Sequence, residues 1–258
     1  MKRFGLIGKE LSHSVSPRLH QAIADIYKLS LSYELIDIKK EVLPVYITAL
    51  KNGTYDGFNV TMPYKTEVMQ YIDEVSPRAK KMGAVNTLYL KEGKVCGDNT
   101  DYYGIKETII HAGIDVKDKP VYILGTGGAA KSGYVALEDL GAKPIVVKRA
   151  EDTVTDLFKQ VITYEQMDQS VNILVQATPV GMYPHVEGSI LPKEKVAGKI
   201  VFDYIYNPLE TKIMSYANQA FNGLLIVIIQ AFYSESLWHN KPITFKMEFL
   251  ERLKEAIL

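Results

Sequence analysis

One stretch, residues 121–149, constrains the fold more than any other part of the chain. Residues 121–124 (VYIL) form an apolar run that is typical of a buried parallel strand and too short for a helix. Gly125, Gly127 and Ala130 follow in the spacing G-x-G-x-x-A, at the start of a helical pattern. This order of strand, glycine turn and helix predicts a dinucleotide-binding unit.

Each of these three small residues has a physical reason in such a unit. The first glycine allows a tight turn, the second lets the backbone approach a pyrophosphate, and the alanine permits close packing of helix and strand. An ordinary strand–helix turn, whose glycines only satisfy packing, is the alternative. The next apolar segment, 145–147, ends in Lys148 and Arg149. Sites for NAD usually carry an acid near this strand end, so two cations favour the 2′-phosphate of NADP.

The charge balance and the cysteine count exclude several classes of protein. The 258 residues include 30 Lys and Arg against 30 Asp and Glu, which leaves no basic surplus for nucleic acid. Cys96 is the only cysteine, so an intrachain disulfide framework and a cysteine-rich zinc site are both excluded. The five histidines form no ligand-spaced pair, and we expect no bound metal.

The apolar segments are too short for a targeting sequence or a membrane span. Residues 1–8 contain too few apolar residues for a signal peptide. The most apolar run, 224–229, is far below the ~20 residues that cross a bilayer. We therefore expect a cytoplasmic protein that binds a small molecule and no membrane, as a monomer or a homodimer.

Strands and helices alternate through the first hundred residues, which predicts a separate α/β domain. Strands are expected at 4–7, 33–38 and 55–60, a helix at 43–50, and a hairpin of 85–90 with 94–97. Ser16 and Pro17 suit the N-cap and first position of another helix. Ser14 lacks that explanation, and two hydroxyls beside a helix N-terminus suit a carboxylate. A plain capping role is the alternative for Ser16.

Two charged residues are candidates for acid–base chemistry. Pro63 suits the first turn of a helix that runs to about Tyr71, and Lys65 is then expected near the positive end of that helix. That field lowers the pKa of a lysine, as acid–base chemistry requires, although most lysines are simply solvated. Asp101 opens a further helix, where a capping carboxylate is the simpler explanation.

The remaining segments extend the nucleotide unit and close the chain. Residues 150–161 give a weak helical signal, 173–176 and 200–204 have the pattern of buried strands, and 211–219 predicts a helix. Helices are also expected at 225–238 and 245–257.

Taken in order, several motifs resemble those of the shikimate dehydrogenase family, and they run from residue 12 to residue 230. They are 12–17 (SHSVSP), 57–65 (GFNVTMPYK), 83–87 (GAVNT), 97–101 (GDNTD), 125–130 (GTGGAA), 177–178 (AT) with 181–182 (GM), 203–208 (DYIYNP) and Gln230. No single motif is specific, but the ordered set is.

The resemblance implies an NADP-dependent oxidoreductase built from two α/β domains. A substrate-binding and catalytic domain is expected at 1–101 plus 223–258, with C-terminal helices returning to it. A Rossmann-type NADP-binding domain is expected at 102–222. The implied reaction is the reversible reduction of 3-dehydroshikimate to shikimate, in chorismate and aromatic amino-acid biosynthesis.

The resemblance also assigns roles to residues of this chain. Catalysis falls to Lys65 and Asp101. The implied substrate-binding residues are Ser14, Ser16, Asn59, Thr61, Asn86, Tyr206 and Gln230. The implied cofactor-binding residues are Gly125, Thr126, Gly127, Gly128, Ala129, Lys148, Arg149, Thr178, Tyr204 and Gly223. A polyhydroxylated substrate explains this hydroxyl-rich and amide-rich set, and hydride transfer to a ketone needs a proton donor such as the Lys65 ammonium.

Departures from the family pattern keep two alternatives open. Leu225 stands where the family has a glycine that lets the backbone approach the nicotinamide, and this change favours a non-catalytic NADP(H) or ligand sensor of the same fold. The segment 217–223 is also shorter than in the family, which predicts the loss of most of the last edge strand. The other alternative is a quinate/shikimate dehydrogenase that uses NAD. Arg149 and the lack of an acid at the strand end argue against NAD. The retained Lys65, Asp101 and Asn86 argue for catalysis.

Overall fold

The computed structural model describes all residues, 1–258, and the chain forms two compact units. The first unit comprises Met1–Thr100 and Ile228–Leu258, and the second comprises Asp101–Val227. The functional division expected from the sequence, 1–101 plus 223–258 and 102–222, remains a prediction. The helices are α1 (Ser16–Tyr27), α2 (Leu43–Lys51), α3 (Pro77–Met82), α4 (Asp101–His111), α5 (Gly128–Asp139), α6 (Lys193–Val196), α7 (Leu224–His239) and α8 (Leu250–Ile257).

The first unit is built on a mixed six-stranded sheet. Its strands are β1 (Lys2–Gly8), β2 (Leu31–Asp37), β3 (Gly57–Val60), β4 (Glu74–Val75), β5 (Thr87–Lys91) and β6 (Lys94–Asp98), in the order β2-β1-β3-β5-β6-β4. Strand β1 runs parallel to β2 and β3, and β5 runs antiparallel to β3 and β6. The predicted hairpin is confirmed as β5–β6, and its turn residues Glu92 and Gly93 both have positive φ.

The core of this unit lies where the central strands meet α2. All four residues of β3 are buried, as expected for a strand covered on both faces. Phe58 of β3 and Ile7 of β1 pack in one cluster with Leu43 and Leu50 of α2. Each such buried side chain contributes about 1.5–3 kcal/mol relative to exposure. These contacts hold the carboxyl ends of β1 and β3 side by side.

The second unit contains a fully parallel sheet. Its strands are β7 (Pro120–Leu124), β8 (Lys143–Lys148), β9 (Val161–Thr163), β10 (Ile173–Gln176), β11 (Ile200–Asp203) and β12 (Gln219–Phe221), in the order β12-β11-β10-β7-β8-β9. Counted from β7, this is the 3-2-1-4-5-6 order of doubly wound dinucleotide-binding domains. The predicted fold class is confirmed.

Several predicted elements are wrong or shorter than expected. Residues 150–160 contain no helix, and 211–219 contains only the short 3-10 helix Met214–Tyr216. The side chain of Lys148 explains the first case, because its Nζ donates to the carbonyls of Arg149, Ala150 and Asp152. The edge strand that we expected to be mostly lost is present as β12, three residues long. No helix combines the length and the apolar character that crossing a membrane requires.

Candidate functional site

A network of hydrogen-bonded polar side chains occupies the first unit. Its members are Tyr33, Asn59, Asn86, Thr87, Thr100, Gln230 and Ser234, of which all but Tyr33 are buried. The Oδ1 atom of Asn86 accepts from the backbone N–H of Thr100 at 2.7 Å and from its hydroxyl at 3.1 Å. The hydroxyl of Thr100 also lies 3.2 Å from Oε1 of Gln230. Thus two predicted substrate residues, Asn86 and Gln230, meet at one threonine.

Asn59 occupies the centre of the same network. Its Nδ2 donates to the hydroxyls of Thr87 and Ser234 at 3.1 and 3.0 Å. Its Oδ1 accepts from the hydroxyl of Tyr33 at 2.9 Å. Burial raises the pKa of Tyr33 well above its ordinary value, so this hydroxyl stays protonated and remains a donor. The partners on both sides fix the orientation of the Asn59 amide.

The two predicted carboxylate-binding serines lie together at the start of α1. Ser14 Oγ donates to Ser16 Oγ at 3.1 Å and accepts from the Ser16 backbone N–H at 3.3 Å. The assignment of Ser16 as N-cap is wrong: Val15 is the N-cap, and Ser16 is the first helical residue. The bond from a serine hydroxyl to a backbone N–H at the helix start, which we expected from Ser16, is therefore made by Ser14. The hydroxyl of Ser16 instead hydrogen-bonds with Tyr33.

The helix predicted around Lys65 does not form. Residues 62–66 form turns, and only the 3-10 helix Glu67–Tyr71 follows, so the argument from a helix dipole at Lys65 is wrong. The backbone explains this, because the Lys65 carbonyl accepts from the Val85 N–H at 2.8 Å rather than from a helical neighbour. Tyr64 is buried and donates to the Ile38 carbonyl, which anchors the turn that carries Lys65.

Thr61 and Asp101 stand at the ends of regular elements in their respective units. Thr61 follows β3, and its backbone N–H donates to the Ile7 carbonyl at 2.9 Å. Asp101 is the first residue of α4. A carboxylate there is favoured by the helix dipole, so its structural explanation persists beside the catalytic one.

A cluster of buried ionisable residues, His20, Glu235 and His239, packs against Tyr33. His20 stacks on Tyr33 with ring centroids 4.2 Å apart, and its Nδ1 lies 2.6 Å from Oε1 of Glu235. His239 Nε2 lies 3.1 Å from the other Glu235 oxygen, at ion-pair distance but without hydrogen-bond geometry. Burial alone raises the pKa of Glu235, but the hydrogen bond from His20 and the two imidazoles outweigh it and hold that pKa low.

The glycine loop of the second unit lies where the strand order reverses, between β7 and β10. Gly125 has φ of 112°, and a Cβ there would lie 2.8 Å from Cγ2 of Thr178 and 3.1 Å from the Ala177 carbonyl oxygen. Gly127 is the N-cap of α5, and a Cβ there would meet nothing within 4 Å. The loop is thus closed on the strand side and open at the helix start, which fits a pyrophosphate bound by backbone N–H groups.

The rest of the predicted loop, and Thr178 just after β10, are held by local bonds. Gly128 and Ala129 begin α5 after Thr126, and the Ala129 carbonyl accepts from the Ser132 hydroxyl. Thr178 donates through its hydroxyl to Gln176 Oε1 at 2.9 Å. These bonds order both edges of the loop without using the N–H groups of Gly127 or Gly128.

Tyr204 and Gly223 contact each other within the second unit. The hydroxyl of Tyr204 lies 3.0 Å from Ser132 Oγ on α5, and burial raises its pKa. A Cβ on Gly223 would overlap the backbone of Tyr204, and the Gly223 N–H donates to the Ile205 carbonyl at 2.8 Å. Close packing alone therefore requires glycine at 223. Tyr206 is half-buried two residues after Tyr204.

At the end of β8, Arg149 is paired with acidic residues of the loop that follows. Arg149 is paired with Asp152, with Nη2 and Nε 2.8 and 3.1 Å from Oδ1, and Nε also lies 3.5 Å from Glu151. The strand itself ends without an acid, but two acids of the following loop lie beside Arg149. Lys148 is directed at the carbonyls of its own loop.

Sequence reasoning missed four members of the polar network: Tyr33, Thr87, Thr100 and Ser234. Thr87 and Thr100 belong to motifs that the resemblance includes, but hydroxyls at strand ends are commonplace. Ser234 follows Gln230 by four residues on α7, a spacing that places both on one helix face and was a usable signal. No feature of the sequence around Tyr33 marks it as a member of this network. No group of three or more His, Cys, Asp or Glu side chains is arranged to hold a metal ion.

A doubly wound sheet with an open glycine loop, together with a unit that contains a buried polar network, defines a two-unit α/β protein of the dinucleotide-binding class. The family model "Shikimate dehydrogenase substrate binding domain" matches residues 6–88. A shikimate dehydrogenase (NADP(+)) from Clostridium beijerinckii is 35% identical over 257 residues, covering 96% of this chain and 95% of that protein. The chain belongs to the shikimate dehydrogenase family.

Solved structures agree with this assignment over the full chain. Shikimate dehydrogenase 1 from Peptoclostridium difficile is 37% identical with a TM-score of 0.88, covering 100% of this chain and 98% of that chain. A shikimate 5-dehydrogenase from Thermus thermophilus, solved in complex with NADP(H) and shikimate, is 29% identical with a TM-score of 0.89. That match covers 99% of this chain and 100% of the other.

Proposed function

We propose that this protein catalyses the reversible, NADP-dependent reduction of 3-dehydroshikimate to shikimate. The observation that carries the proposal is the likeness to shikimate dehydrogenases over nearly the whole chain, which includes both compact units. The glycine loop, with an open Gly127 and a closed Gly125, fits the cofactor independently of that likeness. When bound, the reduced cofactor NADPH would supply the hydride for the reduction, and the oxidised form would accept it in the reverse direction.

We assign substrate recognition to hydroxyl and amide groups, all of which except that of Tyr206 belong to the first unit. Ser14 and Ser16 bind the substrate carboxylate, and Asn59, Thr61, Asn86, Tyr206 and Gln230 bind the ring hydroxyls and complete the site. The hydrogen bonds among Asn59, Asn86 and Thr100 hold these groups in place before the substrate arrives. A site that pairs each hydroxyl discriminates against analogues that lack one, because a buried polar group is then left without a partner.

We assign the proton transfer to Lys65 and Asp101. Reduction of a ketone builds negative charge on the oxygen, which an ammonium group stabilises and then protonates. In the oxidative direction the neutral amine accepts the proton from the substrate hydroxyl.

Nicotinamide absorbance with purified protein, shikimate and NADP tests the proposed reaction, with NAD and quinate in parallel. We expect Lys65→Ala to lower turnover by about 10²–10⁴-fold, the usual size of a general acid–base contribution, and to leave NADP affinity unchanged. Lys51→Ala is the matched control, because Lys51 is an exposed lysine of the same unit that pairs with Asp73. Folded wild-type protein that reduces no cofactor with shikimate would contradict the proposal.

We further propose a cytoplasmic location, a small-molecule substrate with no nucleic-acid or membrane partner, and a monomeric or homodimeric state. The equal numbers of acidic and basic residues support the absence of a nucleic-acid partner. Light scattering on the eluting peak of a size-exclusion column distinguishes monomer from homodimer and would reveal any larger assembly.

A further inference from the structure

The cation that the family resemblance gives to the 2′-phosphate is not free in this chain. Asp152 accepts from Arg149 at three places: Nη2 at 2.8 Å, Nε at 3.1 Å, and the backbone N–H at 3.0 Å. The hydrogen bonds from Arg149 lower the pKa of Asp152, so this carboxylate is ionised at neutral pH. The side chain of Arg149 is 65% exposed, whereas that of Asp152 is 19% exposed.

The loop after β8 is folded so that this pairing persists. Lys148 Nζ donates to the carbonyls of Arg149, Ala150 and Asp152, at 3.0, 2.8 and 2.8 Å. These three bonds reverse the direction of the chain, so that the Asp152 carboxylate reaches the Arg149 side chain. Because Lys148 is bound to these carbonyls, the Arg149 guanidinium is the cation that faces solvent at the end of β8.

We propose that Asp152 is a specificity-determining residue that competes with the nucleotide 2′-phosphate for the Arg149 guanidinium and so weakens the preference for NADP over NAD. The inference rests on the proposed function, because it requires the nucleotide to lie along the carboxyl ends of β7 and β8. An incoming phosphate dianion must displace the carboxylate from the guanidinium or bind beside it, and a neighbouring negative charge opposes either arrangement. A ribose with a free 2′-hydroxyl meets no such repulsion.

The variant Asp152→Asn removes the charge and keeps an oxygen acceptor for the Arg149 N–H, so the loop retains its shape. Glu151→Gln is the matched control: it removes the same charge one residue away, from a side chain that is 70% exposed and lies 3.5 Å from Nε. Calorimetric titration with adenosine 2′,5′-bisphosphate and with 5′-AMP measures the contribution of the 2′-phosphate without any turnover.

For Asp152→Asn we expect binding of the bisphosphate to tighten roughly three- to tenfold, the effect of removing one surface charge beside a phosphate, while 5′-AMP changes less than twofold. For Glu151→Gln we expect both affinities to change less than twofold. An unchanged ratio of the two affinities in Asp152→Asn would overturn the inference, as would an equal gain in Glu151→Gln.

Two further measurements separate this inference from the proposed function. If wild-type protein binds NADP and reduces it with shikimate, and the ratio still fails to change, the inference alone is wrong. If wild-type protein binds neither NADP nor the bisphosphate, the proposed function fails and the inference fails with it. Arg149→Gln in the Asp152→Asn background must abolish the gain, because the competition acts through that guanidinium.

Discussion

The two units differ in whether the polar groups assigned to ligands are buried or exposed to solvent. In the first unit, Asn59, Asn86 and Thr100 are buried and bonded to one another, so the groups assigned to the substrate also hold the unit together. In the second unit, the glycine loop is open at Gly127 and the charge of Arg149 is exposed. Substitutions in the buried network of the first unit are therefore expected to change stability and binding together, whereas those of the exposed Arg149 side chain are expected to change binding alone.

The buried carboxylates of the two units show the same contrast. Glu235 in the first unit has two imidazole partners and a lowered pKa. Asp203 in the second unit has only neutral partners, the Thr211 hydroxyl and the Ile205 N–H, and burial raises its pKa to about 6 despite these two bonds. The partners explain the difference: the imidazoles outweigh the effect of burial on the pKa of Glu235, whereas two neutral donors do not outweigh it at Asp203.

Glu235→Ala gives the largest expected effect on this contrast. It leaves the buried imidazoles of His20 and His239 without their carboxylate, and breaking a buried ionic group costs about 3–5 kcal/mol of unfolding free energy. Chemical denaturation measures the loss. Glu251→Ala on α8 is the control, because its pair with Lys254 is exposed and its loss costs ~0.5 kcal/mol or less. An equal loss of unfolding free energy in the two variants would mean that the buried and the exposed ion pair contribute alike.

Asn86→Ala sharpens the comparison with a matched pair of asparagines. Asn86 accepts from the N–H and hydroxyl of buried Thr100, and Asn52 accepts from the same two groups of exposed Thr54. We expect Asn86→Ala to cost about 1–3 kcal/mol, because buried donors lose their acceptor. Asn52→Ala is expected to cost about 0.5 kcal/mol or less, since water replaces the amide.

Unfolding free energies of the two asparagine variants, measured under one set of conditions, test this prediction. We also expect Asn86→Ala to lose shikimate affinity and Asn52→Ala to keep it, because only Asn86 is assigned to the substrate. A cost at Asn52 that equals the cost at Asn86 would mean that burial does not set the energy of these bonds.

The sequence predicted those elements whose signals are local. The strand before Gly125, the glycine spacing and the helix after it are encoded within twenty residues, and all three are confirmed as β7, the loop and α5. The hairpin β5–β6 also follows from its own turn residues. In each case the alternation or run of apolar residues and the turn chemistry point to the same structure.

The failures arise where distant partners decide the local conformation. The turn at Lys65 is fixed by a bond from Val85, twenty residues away, which no helical pattern reveals. At the end of β8 the acid was visible in the sequence three residues after Arg149, but its return to that residue depends on the carbonyls that Lys148 binds. The orientation of Asn59 by Tyr33 likewise requires the sheet to be formed first.

The pH dependence of stability gives the smallest expected effect and tests the carboxylate of the second unit. The folded pKa of Asp203, about 6, lies above the ordinary value of 3.8, so its contribution to stability is greatest at low pH and declines as pH rises through 6. Between pH 5 and pH 7.5 that decline is roughly 1 kcal/mol. Asp203→Asn keeps an acceptor for Thr211 and cannot titrate, so wild type should lose this much more unfolding free energy than the variant over that range. Parallel pH dependences in the two proteins would show that Asp203 is ionised throughout and that its neutral partners suffice, which would end the contrast with Glu235.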